Sequence, residues 1–394
     1  MLTEILVGAA VLFAEYFPPG DAAGGWRTLQ DAAQIRRKAG LDVKKLDAVF
    51  EYTKASSKHG GLLVVRKGWL VYERYFGRAS REATPNTASC GKLFTSIAMG
   101  ILMGERPELF PDGLDQKVYT PRYLPPEAFP PNDPAKSEIK LGQLLAMTAG
   151  LRGNSPAWVR GKQVPLDPPG LDGAKAMFDA SAFAERLWCK PGEGYSYATT
   201  APHIVSVIIR QVTGLELQQY LDERVARPLG WGRWGFGYRH TGMNHTPGGG
   251  GIALRATDML RTGYLLLHHG RWAGRQIVPA GYVRQCATPS PYNPHFAYSL
   301  QTELNWDGAA PEAPRDAYWK QGSGGYAIYV VPSLDMVIWK IGGRDGQYSE
   351  QDTGLPEVTT YDGSRENWKP TVKAETATLR TLEMVTGAVV RRQK

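Results

Sequence analysis

Two hairpin-like stretches near opposite ends of this 394-residue chain constrain its fold more than any other feature. GGLLVVRKGWLVYERYF (60–76) holds two strand-like runs around Lys67-Gly68, a pair that suits a tight two-residue turn. GYAIYVVPSLDMVIWKIGG (325–343) has the same form, with Pro332-Ser333 at the bend. Between them the pattern becomes helical: Leu141–Met147, Ala201–Val212 and Thr257–His268 carry apolar residues at helical spacing, among proline-rich loops and glycine punctuation. Residues 373–390 alternate like an amphipathic helix. Strands at both ends with helices between predict one α/β sheet built from both termini, and a helical lobe inserted in the middle. No internal repeat or low-complexity segment interrupts that plan.

Composition agrees with a large folded body. With 42% hydrophobic and 21% charged residues the chain buries a sizeable core and is not a disordered tail. The net charge of +8 raises the question of nucleic acid, but the basic residues are scattered. The densest groups, Arg36-Arg37-Lys38 and Arg391-Arg392 with Lys394, read as solvated faces, so no nucleic-acid partner is expected. Three cysteines, Cys90, Cys189 and Cys286, are too few and too dispersed for a disulfide framework or a zinc site. Seven histidines show no His-x-x-x-His spacing, so neither metal nor cofactor is implied.

The first residues, MLTEILVGAAVLFAEYFPPG, contain an apolar run from Ile5 to Ala14, too short to span a bilayer, so no stable membrane insertion is expected. The run looks like the apolar part of a secretory signal, although Glu4 stands where a lysine is usual. Export to the periplasm or medium is the first expectation. A packed N-terminal helix in a cytoplasmic protein is the alternative.

Residues 87–105, TASCGKLFTSIAMGILMGE, place a serine and a lysine three apart at the start of an apolar helix. Thr87 and Ser89 are the expected N-caps of Gly91–Met103. At that spacing Ser89 and Lys92 share one helix face, one turn apart. A serine hydroxyl attacks only when a base takes its proton, and burial near a helix N-terminus lowers a lysine's pKa enough for that work. The first helical turn also presents free N–H groups that can hold an oxyanion. Ser-x-x-Lys by itself is a weak signal, because Ser137 and Lys140 repeat it. A capped helix with a surface lysine is the alternative reading of either copy.

Two companions follow in order: Tyr197 in PGEGYSYATTAPHIVSVIIRQVTG (191–214), and Lys320-Gln321-Gly322-Ser323 leading into a strand in YWKQGSGGYAIYVV (318–331). This ordered set resembles the Ser-x-x-Lys, Tyr-x-Asn and Lys-x-Gly signature of serine β-lactamases and penicillin-binding proteins. The surrounding text is similar to the class C β-lactamase-like family, which includes family VIII carboxylesterases, D-amino-acid peptidases and nylon-oligomer hydrolases. LGQLLAMTAGL (141–151) is similar to that family's Leu-Leu-x-x-x-Ser-Gly-Leu helix. GGGIALRATDMLRTGYLLLHHGRWAGRQIVP (249–279) is similar to its Gly-Gly-x-x-Ser-Thr-x-x-Asp segment. The likeness covers roughly residues 45–345.

The resemblance implies a β-lactamase/transpeptidase-like fold of α/β (α+β) class, an antiparallel sheet from both termini flanked by helices. Its expected layout is a terminal segment 1–24, a sheet lobe of 25–88 and 296–394, and a mostly helical lobe 89–295, with the active site between the lobes. It implies Ser89 as nucleophile, Lys92 as neutral base and Tyr197 as proton shuttle. Lys320 would lie across the pocket, favouring tyrosinate and meeting any substrate carboxylate. The main-chain N–H groups of Ser89 and Ser323 would form the oxyanion hole. Thr199, Gln321, Gly322 and Tyr238 would contact substrate.

Two departures matter. Thr199 replaces the Asn of Tyr-x-Asn, and Gln321 replaces the Thr of Lys-Thr-Gly, which removes side chains that grip a β-lactam. The substrate expected is therefore a small ester, most readily one with a short acyl chain. β-Lactams, D-peptides and other amides are alternatives, as is a penicillin-recognition module that acylates once and stalls. The oligomeric state stays open.

Other features take plainer readings. GYSYA (194–198) lacks the strand that precedes a nucleophile elbow, so Ser196 reads as a loop residue. GWGRWG (230–235) follows a helical pattern, which favours a helix C-cap over a nucleotide loop. Cys90 reads as a small buried helix residue. His240, His245, Trp231 and Trp234 with Tyr238 either line a cleft or pack in the core.

Overall fold

A computed structural model describes residues 15–237, 243, 245–348 and 369–390. Both hairpins form, and they pair with each other. Among the described residues one antiparallel sheet holds β1 (Gly60–Arg66), β2 (Trp69–Phe76), β3 (Glu303–Leu304), β4 (Tyr318–Gly322), β5 (Tyr326–Val331) and β6 (Met336–Ile341). Their order is β2-β1-β6-β5-β4-β3. The seam between the two ends of the chain is β1 against β6, with Gly61 opposite Ile341 and Arg66 opposite Met336. Lys67 (φ 51°) and Gly68 (φ 71°) both adopt the left-handed turn geometry that matches strand twist.

Successive side chains on a strand point to opposite faces, and here both sets are apolar. Leu63, Val65, Ile328 and Val337 enter the core on the inner face, while Leu62, Val64, Tyr329 and Ile338 enter a second core on the outer face. Each such side chain contributes roughly 1.5–3 kcal/mol by leaving water, so neither face tolerates exposure and both are covered.

The helices that do this include α1 (Val43–Thr53), α2 (Gly91–Glu105), α3 (Leu141–Leu145), α4 (Asp179–Ala184), α5 (Thr200–Thr213), α6 (Ala256–Leu267) and α7 (Ala374–Thr386). The outer core takes in Leu46, Val49 and Phe50 of α1 and Leu382 and Val385 of α7, next to a Leu41–Val389 bridge. Asp42 caps α1 by accepting from the Lys44 and Lys45 N–H groups. On the inner face α6 lies so near β6 that a β-carbon on Gly263 would sit 2.5 Å from Val337 Cγ1.

The expected helices at 141–147, 201–212, 257–268 and 373–390 appear as α3, α5, α6 and α7, with ends shifted by a few residues. The expected caps on α2 do not. Its N-cap is Cys90, with no side-chain cap bond, and the Thr87 hydroxyl donates instead to the Ile252 carbonyl at 2.9 Å. No helix among the described residues is long and apolar enough to cross a membrane. Residues 1–14, Tyr238, His240 and the Arg391-Arg392 group lie outside the described residues.

Candidate active site

Ser89 stands in a 3-10 turn, Ala88–Cys90, that runs directly into α2. Ala88 holds φ 50°, a conformation costly for a residue with a β-carbon. It is pinned there from both sides: its N–H donates to Asn86 Oδ1 at 2.8 Å, and its carbonyl accepts from the Gly251 N–H at 3.1 Å. This turn lifts the half-buried Ser89 side chain to the cavity wall, while Lys92, one turn on, is 1% exposed. Lys92 Nζ lies 2.8 Å from Ser89 Oγ and donates to the Gly249 carbonyl at 2.5 Å.

Burial pulls the Lys92 pKa down to about 7, with help from the nearby Lys320 charge. The lysine is therefore half neutral near pH 7 and able to accept the serine proton. The main-chain strap that covers it is Gly248–Gly251. A β-carbon on Gly91 would meet Gly250 Cα at 2.8 Å, and the Thr95 hydroxyl donates to the Gly248 carbonyl at 2.7 Å. Two backbones touch here because neither carries a side chain.

Tyr197 occupies a tied loop: its carbonyl accepts from the Asn154 N–H at 3.0 Å, and Trp158 and Tyr195 exchange main-chain bonds beside it. Lys92 Nζ sits 5.1 Å and Lys320 Nζ 4.9 Å from the Tyr197 ring centre. Burial raises the Tyr197 pKa; Lys320 and hydrogen bonds from Ser89 and Lys320 work the other way without overcoming it. The phenol is thus protonated at neutral pH. Lys320 does pull toward tyrosinate, as expected, but burial outweighs it in the free protein.

Lys320 does not reach across the pocket to a substrate carboxylate either. It is fully buried, donating to Glu303 Oε1 at 2.8 Å and to the Tyr298 hydroxyl at 3.2 Å. Burial alone would lower its pKa, but Glu303, with Tyr197, holds it above the ordinary lysine value.

Gly322 ends β4 against the Ala88–Cys90 turn. Beyond it Ser323 is exposed at the cavity, and among the described residues neither its N–H nor that of Ser89 has a main-chain acceptor. A cavity of about 370 Å³ opens over this floor, lined in part by Ser89, Lys92, Thr199, Ser323 and Gly324. Thr199 is there as expected. Gln321 and Gly322 are not among the lining residues: Gln321 is half-buried on β4 and Gly322 lies beneath the turn.

The lining also includes Asn86, Asp172, Met177, Met243, Arg344 and Gln347, which sequence reasoning missed. Gln347 ties the floor together, donating to the Asn86 carbonyl at 2.9 Å and to the Ser323 carbonyl at 3.1 Å. Arg344 follows β6 after Gly342 and Gly343, and a charged residue leaving a buried strand was the available signal.

The second Ser-x-x-Lys pair has no such setting. The exposed Ser137 donates to the Pro134 carbonyl at 2.7 Å, and Lys140 makes a surface ion pair with Asp115 at 2.8 Å. Ser196 donates to the Asn154 carbonyl, and Gly230 caps a helical turn at φ 68°. Cys90 is buried with its thiol pKa pushed far up by desolvation. Trp231 and Trp234 pack on each other at 5.3 Å and against Phe94 and Phe236, away from the cavity lining.

Comparison with known proteins supplies a frame for this geometry. The family described as Beta-lactamase matches residues 46–341. A curated protein of Escherichia coli O157:H7, described as "Putative D-alanyl-D-alanine carboxypeptidase", is 26% identical over 224 residues. That match covers 49% of this chain and 47% of that protein, so the chain spans about half the length of the curated relative it matches. Among solved structures, EstCE1, described as a hydrolase with promiscuous acyltransferase activity, gives a TM-score of 0.61 at 18% identity, covering 89% of this chain and 98% of that one. A penicillin-binding protein homologue from Caulobacter crescentus gives 0.61 at 14% identity, covering 87% and 97%. At such identities the solved structures speak to the fold alone.

Proposed function

The chain belongs to the beta-lactamase family, and from that premise we propose that it is a serine hydrolase working through an acyl-enzyme, a carboxylesterase on short acyl esters. It has the β-lactamase/transpeptidase-like fold and is a hydrolase of that family. The observation that carries the finer reading is the buried Lys92 amine, its pKa near 7, at 2.8 Å from the Ser89 hydroxyl.

In the proposed reaction Lys92 takes the Ser89 proton as Oγ attacks the ester carbonyl carbon. The N–H groups of Ser89 and Ser323 hold the resulting oxyanion. Tyr197, protonated in the free enzyme, gives its proton to the departing alkoxide, and the C–O bond to the alcohol breaks. The phenolate left behind then takes a proton from water as the water oxygen attacks the acyl carbon; the bond from that carbon to Ser89 Oγ breaks, Lys92 returns its proton to Oγ, and the acid leaves. Lys320, locked to Glu303, supplies a fixed positive charge beneath Tyr197 that stabilises this transient phenolate.

Short neutral esters fit because the side chains that would grip a β-lactam carboxylate are missing: Thr199 carries one hydroxyl, and Gln321 does not line the cavity. Arg344 favours a second reading. It lines the cavity with no ion-pair partner among the described residues, which suits a substrate with a carboxylate, such as a D-alanyl peptide. The test is a panel of p-nitrophenyl butyrate, a chromogenic cephalosporin and a D-alanyl-D-alanine peptide. The ester reading expects the highest kcat/KM on the butyrate. A higher value on the cephalosporin or the peptide overturns it.

A further inference from the structure

Behind the glycine strap lies a cluster with no part in the chemistry above. Asp179 opens α4, His203 lies on α5, and His245 leads into the strap; their polar atoms converge within 4.8 Å. The carboxylate is already fully used. Asp179 Oδ1 is 3.1 Å from His203 Nε2 and 3.2 Å from His245 Nε2, while Oδ2 is held by the Arg210 guanidinium. His245 Nε2 also faces the Met177 carbonyl at 3.2 Å. The His203 Nε2 faces the Asp179 carboxylate and carries the proton, so in the neutral imidazole its Nδ1 is left to accept.

His203 Nδ1 uses that capacity on the strap. The Gly248 N–H points at it, at 3.4 Å. The Ser206 hydroxyl, 3.5 Å away, is committed to the His203 carbonyl at 2.6 Å. Burial lowers the His203 pKa against the pull of Asp179, with His245 and Arg210 adding to the lowering, so the ring is neutral at neutral pH. Gly248 is also tied by Thr95, and the next residue's carbonyl is the one that receives Lys92. Gly248 has no slack: a β-carbon there would meet the Pro202 carbonyl at 2.4 Å and Ser206 Oγ at 2.5 Å.

We propose that His203, oriented by Asp179, is a positioning residue for the general base: it clamps Gly248 so that the strap buries Lys92 and aims it at Ser89. This rests on the reading of Lys92 as base. The groups facing Lys92 are Lys320, Asp172, Glu303 and Cys90, with Ser89 and Tyr197; those facing His203 are Asp179, His245 and Arg210.

The experiment is the pH profile of kcat/KM on p-nitrophenyl butyrate for wild type, His203→Ala, His203→Asn and Thr95→Val. Burial is the main cause of the low Lys92 pKa, so releasing the strap lets water in and moves the acid limb upward. His203→Ala is expected to lose about 10- to 100-fold in kcat with KM little changed, and to shift the limb up by roughly one pH unit. His203→Asn places Oδ1 where Nδ1 was and keeps the limb near its wild-type position. Thr95→Val, nearly isosteric, removes the other tie to Gly248; it shifts the limb the same way and carries the test if His203→Ala does not fold. A normal wild-type limb that stays put in His203→Ala, or in Thr95→Val in its place, overturns the clamp. No wild-type limb near pH 7 overturns the base assignment and the clamp with it.

Discussion

Gly322 lies so close to Thr87 that a β-carbon on it would come within 2.2 Å of the Thr87 carbonyl oxygen. The obstacle is backbone and cannot rotate away, and the same β-carbon would crowd the Cys90 N–H at 3.2 Å. Gly322→Ala must therefore push the nucleophile turn and the end of β4 apart, separating the Ser89 and Ser323 N–H groups. The expected outcome is a loss of about 1–3 kcal/mol of stability and at least a 100-fold fall in kcat. Gly281→Ala is the control. It meets only the Arg284 guanidinium, at 3.7 Å, and is expected to leave both thermal midpoint and activity near wild type. Equal behaviour of the two variants would refute the account.

Removing the nucleophile separates the two Ser-x-x-Lys copies. Ser89→Ala is expected to leave only the acceleration from binding and the oxyanion hole, on the order of 10³–10⁴ over water. Ser137→Ala, on the surface, changes little. A fluorophosphonate label traced by peptide mass should sit on Ser89 alone. Ser89→Ala activity above a tenth of wild type contradicts the assignment.

The base makes a pH prediction of definite sign. In the proposed mechanism Lys92 works as the neutral amine, and burial lowers its pKa to about 7. Activity on a neutral ester should therefore rise with pH through that region and level off above it. Lys92→Arg keeps a positive charge but cannot release a proton near neutrality, and is expected to be nearly inactive. An active Lys92→Arg enzyme would reduce the residue to a fixed charge.

Lys340 makes a separate prediction about stability. It is fully buried on β6, donates to the Gly325 carbonyl, and has its pKa lowered to about 7 by burial alone. Unfolded, a lysine titrates near 10.4. Between these values the folded chain binds fewer protons than the unfolded one, so stability rises with pH. The penalty is full below about pH 7 and gone above the unfolded value. Lys92 and Lys136, the latter lowered to about 8, act in the same direction. The thermal midpoint of wild type should thus climb between pH 7 and 9.5, and Lys340→Met should show a shallower climb. An equal slope in the two proteins would mean that Lys340 stays charged in the fold.

How far the sequence reached depended on whether a signal was local. The two hairpins were legible because Lys67-Gly68 and alternating apolar runs are short-range features. Ser89, Lys92, Tyr197 and Lys320 were legible as an ordered set, and the structure brings all four together. Glu303 was not, since a two-residue strand offers no periodicity, and its bond to Lys320 joins residues from different strands. Asp172 and Arg344 reach the cavity from loops and Met177 from the end of a short 3-10 turn (Gly173–Met177), with no shared spacing. Helix α1 is a different case: Leu46, Val49, Phe50 and Thr53 recur at helical spacing behind the Asp42 cap, so the rule that found α5 applied there too.

The pairing of β1 with β6 governs how the molecule comes into being. During synthesis β1, β2 and the whole Ser89 helix emerge long before β6 is made. Through that interval β1 offers an open edge and two apolar faces, a state prone to wrong pairing and suited to chaperone binding. Joining strands so distant along the chain is slow, because the loop entropy is lost before the contacts form. On the proposed mechanism, a nascent chain holding Ser89 and Lys92 but not the Ser323 turn has a nucleophile without an oxyanion hole. Activity therefore switches on late, when the last hairpin docks against the first.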